Sequence, residues 1–328
     1  MSSLTRITYR DALRQALRDA MQADDTVVVI GEEVGVYGGA YGVTKDLIKE
    51  FGTARLIDTP ISEPAIVGAA VGAAMTGLRP VAELMYVDFL GMTMDQVGNQ
   101  AAKIRYMFGG QIGVPMVLRT QGGTGRSAGA QHSQSLEALA MHTPGLRLAM
   151  PATASDAYHL LRHSLTLPDP VVFIEHKALY ARKEDADLTT PIAPWGKAAV
   201  RRNGKDVTLV TYSRMVYVAL EAAEALARNG VDVEVIDLRT LNPLDMETVV
   251  ASVNRTGRAV VVTESASTCG VASEIAARIS EECFDFLEDP VLRLAGEDVP
   301  ISVSPALESA SIPTAQLIVD MISNMVPA

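Results

Sequence analysis

Thr26-Val27-Val28-Val29-Ile30-Gly31-Glu32-Glu33 is the stretch on which the fold turns. Every residue from Thr26 to Ile30 is β-branched, with no polar alternation. Such a run suits a strand buried on both faces, as in a parallel sheet. It stops at Gly31 and two acids, and a glycine-rich loop follows, Gly35 to Gly42. Loops at the carboxyl ends of parallel strands are where ligands sit. On the amino-terminal side, Tyr9 to Met21 reads as an amphipathic helix, with Leu13, Ala16, Leu17, Ala20 and Met21 on one face. On the other side comes Asp58-Thr59-Pro60-Ile61-Ser62-Glu63-Pro64. Pro64 suits a first helical position, where its missing N–H would be unpaired anyway. The helix it opens, Ala65 to Thr76, is apolar all round and rich in Gly and Ala, which predicts burial on every side. Glu63 is thereby set at the mouth of that helix.

Further strands are expected at Pro80–Tyr86, Pro115–Arg119, Arg147–Met150 and Pro170–Glu175. Strands alternating with helices argue for an α/β sheet. A polar, proline-bearing stretch breaks the pattern, and the alternation then restarts. Strands are expected at Asp206–Tyr212, Asp232–Leu238 and Arg258–Thr263, with helices from Met215 to Asn229 and from the Asn242-Pro243 turn to about Asn254. Gly230 is placed to stop the first of these helices. The expected division is residues 1–186, a linker at 187–205, and a second α/β domain at 206–328.

Composition narrows the function. The chain has 328 residues, 48% hydrophobic and 20% charged, a balance that builds a large core and excludes intrinsic disorder. Its net charge of −11 argues against binding nucleic-acid backbones, which demand clustered cations. Two cysteines, Cys269 and Cys283, build neither a disulfide framework nor a four-thiolate metal site. The longest apolar run, Ala65 to Leu78, falls short of the ~20 residues a membrane span needs. Near the N-terminus Arg6, Arg10, Arg14 and Arg18 are interspersed with Asp11 and Asp19, which argues against a transit peptide. A cytoplasmic protein that uses neither membrane nor nucleic acid is the expectation.

Gly123-Thr124-Gly125-Arg126-Ser127-Ala128 has the form of a dinucleotide fingerprint. It lies mid-domain, however, and Glu137 falls in a helix rather than at the end of the next strand. An active-site loop fits it better. His132 and Ser133 follow that loop. Adjacent residues point their side chains apart, and no G-x-S-x-G elbow is present, so a hydrolase triad is disfavoured. His132 itself stands between a proton-transfer role and a solvent-facing loop position. His159 and His163, four apart on an expected helix, would form half a metal site, without a third ligand in register. Glu32 and Glu63 each end an α/β element, and two converging acids would permit acid–base chemistry. From the residues alone, no reaction follows.

The chain resembles the β subunit of the thiamine-diphosphate-dependent E1 component of 2-oxoacid dehydrogenase complexes. The likeness rests on Gly31-Glu32-Glu33-Val34, Asp58 to Glu63, Val71-Gly72-Ala73-Ala74-Met75, Gly77-Leu78-Arg79-Pro80, Asp95-Gln96, Asn99 to Lys103, Ala130-Gln131-His132-Ser133-Gln134 and Pro144-Gly145. Glu83 to Phe89, Arg105 to Gly110 and Glu175 to Tyr180 look most like acetoin dehydrogenase β subunits, with pyruvate and branched-chain relatives close behind. The resemblance implies a pyrimidine-binding α/β domain with a mostly parallel sheet, followed by a transketolase C-terminal-like α/β domain. Glu63 matches the family acid that hydrogen-bonds the cofactor's aminopyrimidine ring and shifts it toward the imino tautomer. Phe89 matches an aromatic packed on that ring, and Glu32 a supporting acid. His132 matches a histidine at the site entrance, placed to protonate the substrate oxygen or meet a lipoyl group.

The family's diphosphate and Mg²⁺ motif, a GDG followed by an Asn, is absent from this chain. In heterotetrameric members it belongs to the α subunit. The resemblance therefore implies an α₂β₂ assembly, with thiamine diphosphate and Mg²⁺ held largely by the partner. It also implies docking on an E2 acyltransferase core that carries a lipoyl domain. A stand-alone transketolase-like enzyme is disfavoured by the missing motif, and a non-catalytic partner subunit by the presence of Glu63, Phe89 and His132. Two departures stand out. Pro64 replaces the family's Ile or Met after the acid. In Ser164-Leu165-Thr166-Leu167-Pro168-Asp169-Pro170, Leu167 takes an acid's place in a potassium-binding segment, leaving Asp169 as the nearest monovalent-ion candidate.

Overall fold

The computed structural model describes residues 4–190 and 194–326. The chain forms two compact units. One draws on Met1–Gly122 and Leu139–Trp195, the other on Gly123–Ala138 and Gly196–Ala328.

The first unit contains β1 (Leu4–Thr8), α1 (Tyr9–Ala23), β2 (Val27–Gly31), α2 (Leu47–Phe51), β3 (Leu56–Asp58), α3 (Glu63–Met75), β4 (Arg79–Leu84), α4 (Ala102–Met107) and β5 (Val117–Gly122). After α5 (Glu137–Met141) come β6 (Arg147–Ala149), α6 (Ala154–Ser164), β7 (Val171–His176) and β8 (Lys183–Asp187). A 3₁₀ segment (Val87–Thr93) and a π-helical segment (Asp95–Ala101) lead from β4 into α4. Six strands of this unit pair in the order β6-β7-β5-β4-β2-β3, all parallel. The order reverses beside β2, whose β-branched residues Val27, Val28 and Val29 are buried as the sequence requires. β1 and β8 pair separately as an antiparallel ribbon. That ribbon is strongly polar, Lys183-Glu184-Asp185-Ala186-Asp187 on one side, and carries no hydrophobic signature.

The second unit contains β9 (Ala199–Arg202), β10 (Val207–Thr211), α7 (Met215–Ala227), β11 (Val233–Asp237), β12 (Thr240–Asn242) and α8 (Met246–Thr256). Next come β13 (Ala259–Ala266), α9 (Val271–Glu282), β14 (Leu292–Gly296), α10 (Pro305–Ala310) and α11 (Ala315–Met325). Its sheet runs β14-β13-β10-β11-β9, parallel except for β9 at the edge. Leu209, Val235 and Val260 pack with Ala219, Ala223, Ile318 and Ile322 in one core. Gly230, at φ 84°, follows the end of α7 in the left-handed conformation that only glycine adopts cheaply. Among the described residues, no helix is long and apolar enough to cross a membrane.

Two expectations need amendment. The stretch read as a linker contains β9, and its residues 191–193 lie outside the described residues. α3 starts at Glu63, with Pro64 in its first turn as expected, but it is not buried all round. Ile66, Val67, Ala70, Val71 and Ala74 are buried, whereas Ala65, Ala69 and Gly72 are exposed. The cause is geometric: the chain's own sheet covers only one side of the cylinder.

Candidate active site

β2, β3 and β4 end level with one another. Gly31 pairs with Asp58 on one side and with Glu83 on the other. A Cβ at Gly31 would come within 2.8 Å of the Glu83 carbonyl, so only glycine lets the strands close here. Glu32 follows directly, and Glu63 opens α3 five residues after Asp58. The helix N-terminus favours a negative side chain at that point. Glu32, Glu63 and Glu83 are all buried, at 7%, 7% and 4% exposure.

The electrostatic coupling of these acids is visible at Glu32. Burial pushes its carboxyl above the usual carboxylate range, and repulsion from Glu63, Glu33 and Glu83 adds to the rise. Its Oε1 is buried with no hydrogen-bond partner. An unsatisfied buried polar atom costs about 1–3 kcal/mol, so this oxygen calls for a donor that the chain itself does not supply. The glycine-rich loop beside it is pinned by Asp58, which accepts from the amides of Gly35 (2.6 Å) and Val36 (3.2 Å). The amides of Gly38 and Gly39 turn back to the Glu33 carbonyl, at 3.1 and 2.8 Å. At Gly39, φ 80°, a Cβ would crowd Thr44 Oγ1 at 3.2 Å and lie 3.5 Å from Glu83 Oε1. Phe89 is half-buried in the 3₁₀ segment after β4, its amide donating to the Tyr86 carbonyl at 3.1 Å.

Behind the acids lies a buried charge cluster that sequence reasoning passed over. Arg119 on β5 donates from Nη1 to Glu83 Oε2 (2.7 Å) on the neighbouring β4. Through Nε and Nη2 it grips both oxygens of Glu175 on β7, at 2.6 and 2.7 Å. The Tyr180 hydroxyl donates to the same carboxylate at 2.6 Å. Arg119 is 1% exposed. Burial works against its charge, but Glu175 and Glu83 outweigh that and hold the guanidinium firmly protonated. Burial raises the carboxyl of Glu83, with Arg119 pulling the other way. A signal was available: Glu83, Arg119 and Glu175 each fall inside a segment expected to be a buried strand, and a charge buried there needs a partner of opposite sign or strong hydrogen bonds.

His132 belongs to the second unit, half-buried on a loop whose base is closed by the Gly123 amide donating to the Gln134 carbonyl at 2.9 Å. Its own amide donates to the Gly129 carbonyl at 3.2 Å. The loop borders a cleft of about 420 Å³, lined also by Glu264, Ser265 and Asp298. Ser133 Oγ is buried without a hydrogen-bond partner, so it is not activated by a histidine and a triad is excluded. The dinucleotide reading fails as well. The Gly125 and Ser127 amides that would face a phosphate donate instead to the buried carboxylate of Glu308.

Other candidates do not assemble. His159 Nε2 lies 3.0 Å from the Asp187 carbonyl, and His163 is exposed beside Trp195. Asp169 is paired with Arg105 (2.7 Å) and Arg147 (2.9 Å), while Arg79 donates to the Leu165 carbonyl at 2.7 Å. Among the described residues, no group of three or more His, Cys, Asp or Glu is arranged to hold a metal ion.

Comparison with known proteins follows the same lines. Residues 5–183 match the transketolase pyrimidine-binding domain, and residues 196–318 the transketolase C-terminal domain. The β subunit of the pyruvate dehydrogenase E1 component from Rhizobium meliloti is 44% identical over 322 residues, covering 98% of this chain and 70% of its own. The β subunit of acetoin:2,6-dichlorophenolindophenol oxidoreductase from Cupriavidus necator is 44% identical over 320 residues, 94% of each chain. Its Bacillus subtilis namesake is 42% identical over 96% of each chain. A split-gene transketolase solved as an inactive β4 tetramer shares the fold, with a TM-score of 0.80 at 22% identity, covering 97% of this chain and 98% of its own. A mostly parallel pyrimidine-binding unit, a transketolase C-terminal unit and end-to-end identity above 40% together make this chain a member of the E1 β-subunit family of the transketolase-like oxidoreductases.

Proposed function

We propose that this chain is the β subunit of an E1 enzyme that cleaves acetoin or a 2-oxo acid and passes the acyl unit to lipoamide. Acetoin is the first reading, and pyruvate or a branched-chain 2-oxo acid the alternative. Residues 1–186 would form the pyrimidine-binding domain and 206–328 the C-terminal domain, with the connecting 187–205 contributing β9 to the edge of the second sheet. The observation that carries the reading is the buried acid group at the strand ends, with Glu32 Oε1 lacking a donor. An aminopyrimidine presents ring nitrogens and an amino group, the donor and acceptor set such acids fit. Thiamine diphosphate, when bound, supplies a nucleophilic carbon and an electron sink.

The chain's own residues act around that group. Glu63 holds a proton at the pyrimidine ring nitrogen, in a site where low dielectric strengthens the hydrogen bond. Glu32, its carboxyl raised by burial and by Glu63, retains a proton more readily than an exposed acid and supports Glu63. Phe89 supplies an apolar surface for the ring. His132 donates a proton to the substrate oxygen and meets the lipoyl group. With no diphosphate motif in the chain, an E1 α subunit would hold the diphosphate and Mg²⁺ in a cytoplasmic α₂β₂ assembly that serves an E2 core and its lipoyl domain. The test is co-expression with the α partner, then lipoamide reduction with acetoin, pyruvate and branched 2-oxo acids. The proposal requires turnover with one of them. An assembled enzyme inactive with all three would favour a non-catalytic partner subunit.

A further inference from the structure

The loop that carries His132 is bound by two acids remote from it in sequence. Thr124 donates its amide to Glu264 Oε1 at 2.5 Å, and Arg214 braces the pair, reaching Thr124 Oγ1 at 3.1 Å and Glu264 Oε2 at 3.2 Å. Glu308, on α10, does more. Its Oε1 accepts from the Gly125 amide at 2.9 Å. Its Oε2 accepts from the Ser127 amide at 3.0 Å and the Ser127 hydroxyl at 3.2 Å. The carboxylate is 4% exposed. Convergent backbone amides around one carboxylate form an anion nest, and here a side chain of the chain itself fills it.

The loop needs such a clamp. Gly123, Gly125, Ser127 and Gly129 all have positive φ, at 84°, 90°, 51° and 81°. For Ser127, which has a Cβ, that conformation is strained and persists only where the surroundings impose it. Glu308 bonds to Ser127 itself, three residues before the Ala130-Gln131-His132 segment. Gly129 is tight as well: a Cβ there would meet Val303 at 2.9 Å.

We propose that Glu308 is a positioning residue for His132, a carboxylate latch that fixes the active-site loop by occupying its amide nest. The inference rests on the proton-donor reading of His132. Gln cannot replace Glu here, because its NH₂ would face amide donors where an acceptor is required. Asp keeps the charge and falls one methylene short.

Two measurements test the latch. The first is hydrogen exchange on the full-length chain. Glu308→Gln should lose protection at Gly125 and Ser127, while the α7 and α11 amides keep theirs. Unchanged protection in the loop would overturn the proposal. The second is reductive acylation of a lipoyl domain by the assembled enzyme. Glu308→Gln should lower that rate about 10- to 100-fold, the scale of a catalytic group displaced by an ångström. Glu308→Asp should recover part of it. The double variant with His132→Ala should be no slower than His132→Ala alone, because the two act through one group. Losses that multiply would show that Glu308 acts elsewhere and would defeat the latch. If His132→Ala alone leaves the rate unchanged, the His132 role falls, and the exchange experiment still decides whether Glu308 holds the loop.

Discussion

At the scale of single residues, the site is a problem of crowded negative charge. Glu32 is the informative member, because its folded carboxyl is raised by burial and by Glu63, Glu33 and Glu83. The sign of the pH effect follows. Below the ordinary carboxylate range Glu32 is protonated in both folded and unfolded chains and carries no penalty. As pH climbs through its raised folded value, the folded chain must ionise it against three neighbours, and stability falls. Glu32→Gln should therefore unfold at higher temperature than the natural chain at about pH 8, with the gap closing at about pH 4. A gap of equal size at both pH values would contradict the coupling. Glu32 and Glu63 were legible as element-ending acids, because each follows a strand or opens a helix in the sequence itself. Their convergence was not legible, since it depends on the level ends of β2, β3 and β4. Glu264 and Glu308 left no signal at all: nothing local marks an acid whose partners lie 140 to 183 residues away.

At the scale of elements, charge inside strands separates what the pattern could predict from what it could not. Runs rich in β-branched residues located β2, β7, β10 and β13, because burial on both faces leaves little alternation to misread. The β1–β8 ribbon and β9 escaped because their residues are polar and lie at edges. The cluster of Glu83, Arg119 and Glu175 ties β4, β5 and β7 across the sheet. Arg119→Leu would leave two carboxylates facing each other in the core, and should cost about 3–5 kcal/mol in urea unfolding. An unchanged midpoint would show that the cluster contributes nothing. A second expectation concerns the segment from Leu165 to Asp169. Its acceptors are held by Arg79, Arg105 and Arg147, which supply the positive charge an alkali ion would bring. The unfolding temperature should be the same in potassium and in choline chloride at equal ionic strength. A rise specific to potassium would contradict that assignment.

For the whole molecule, the missing phosphate-binding motif and the bare side of α3 point the same way. Ala65, Ala69 and Gly72 present a surface of small residues that nothing in the described chain covers, and Tyr106 and Met107 are exposed as well. That surface fits a chain built to be completed by another. The uniformly apolar sequence of α3 implied burial on every side, whereas the described chain buries only one face of it. In the proposed function, Glu63 acts on a cofactor gripped mainly by the partner. Proton exchange at C2 of thiamine diphosphate, followed by NMR, measures that action directly, before any substrate enters. Exchange should be fast with the two subunits together and absent with this chain alone. It should fall about 100-fold or more in the assembled Glu63→Gln enzyme, with the unfolding temperature little changed. Exchange at the natural rate in that variant, or rapid exchange by this chain without its partner, would contradict the account.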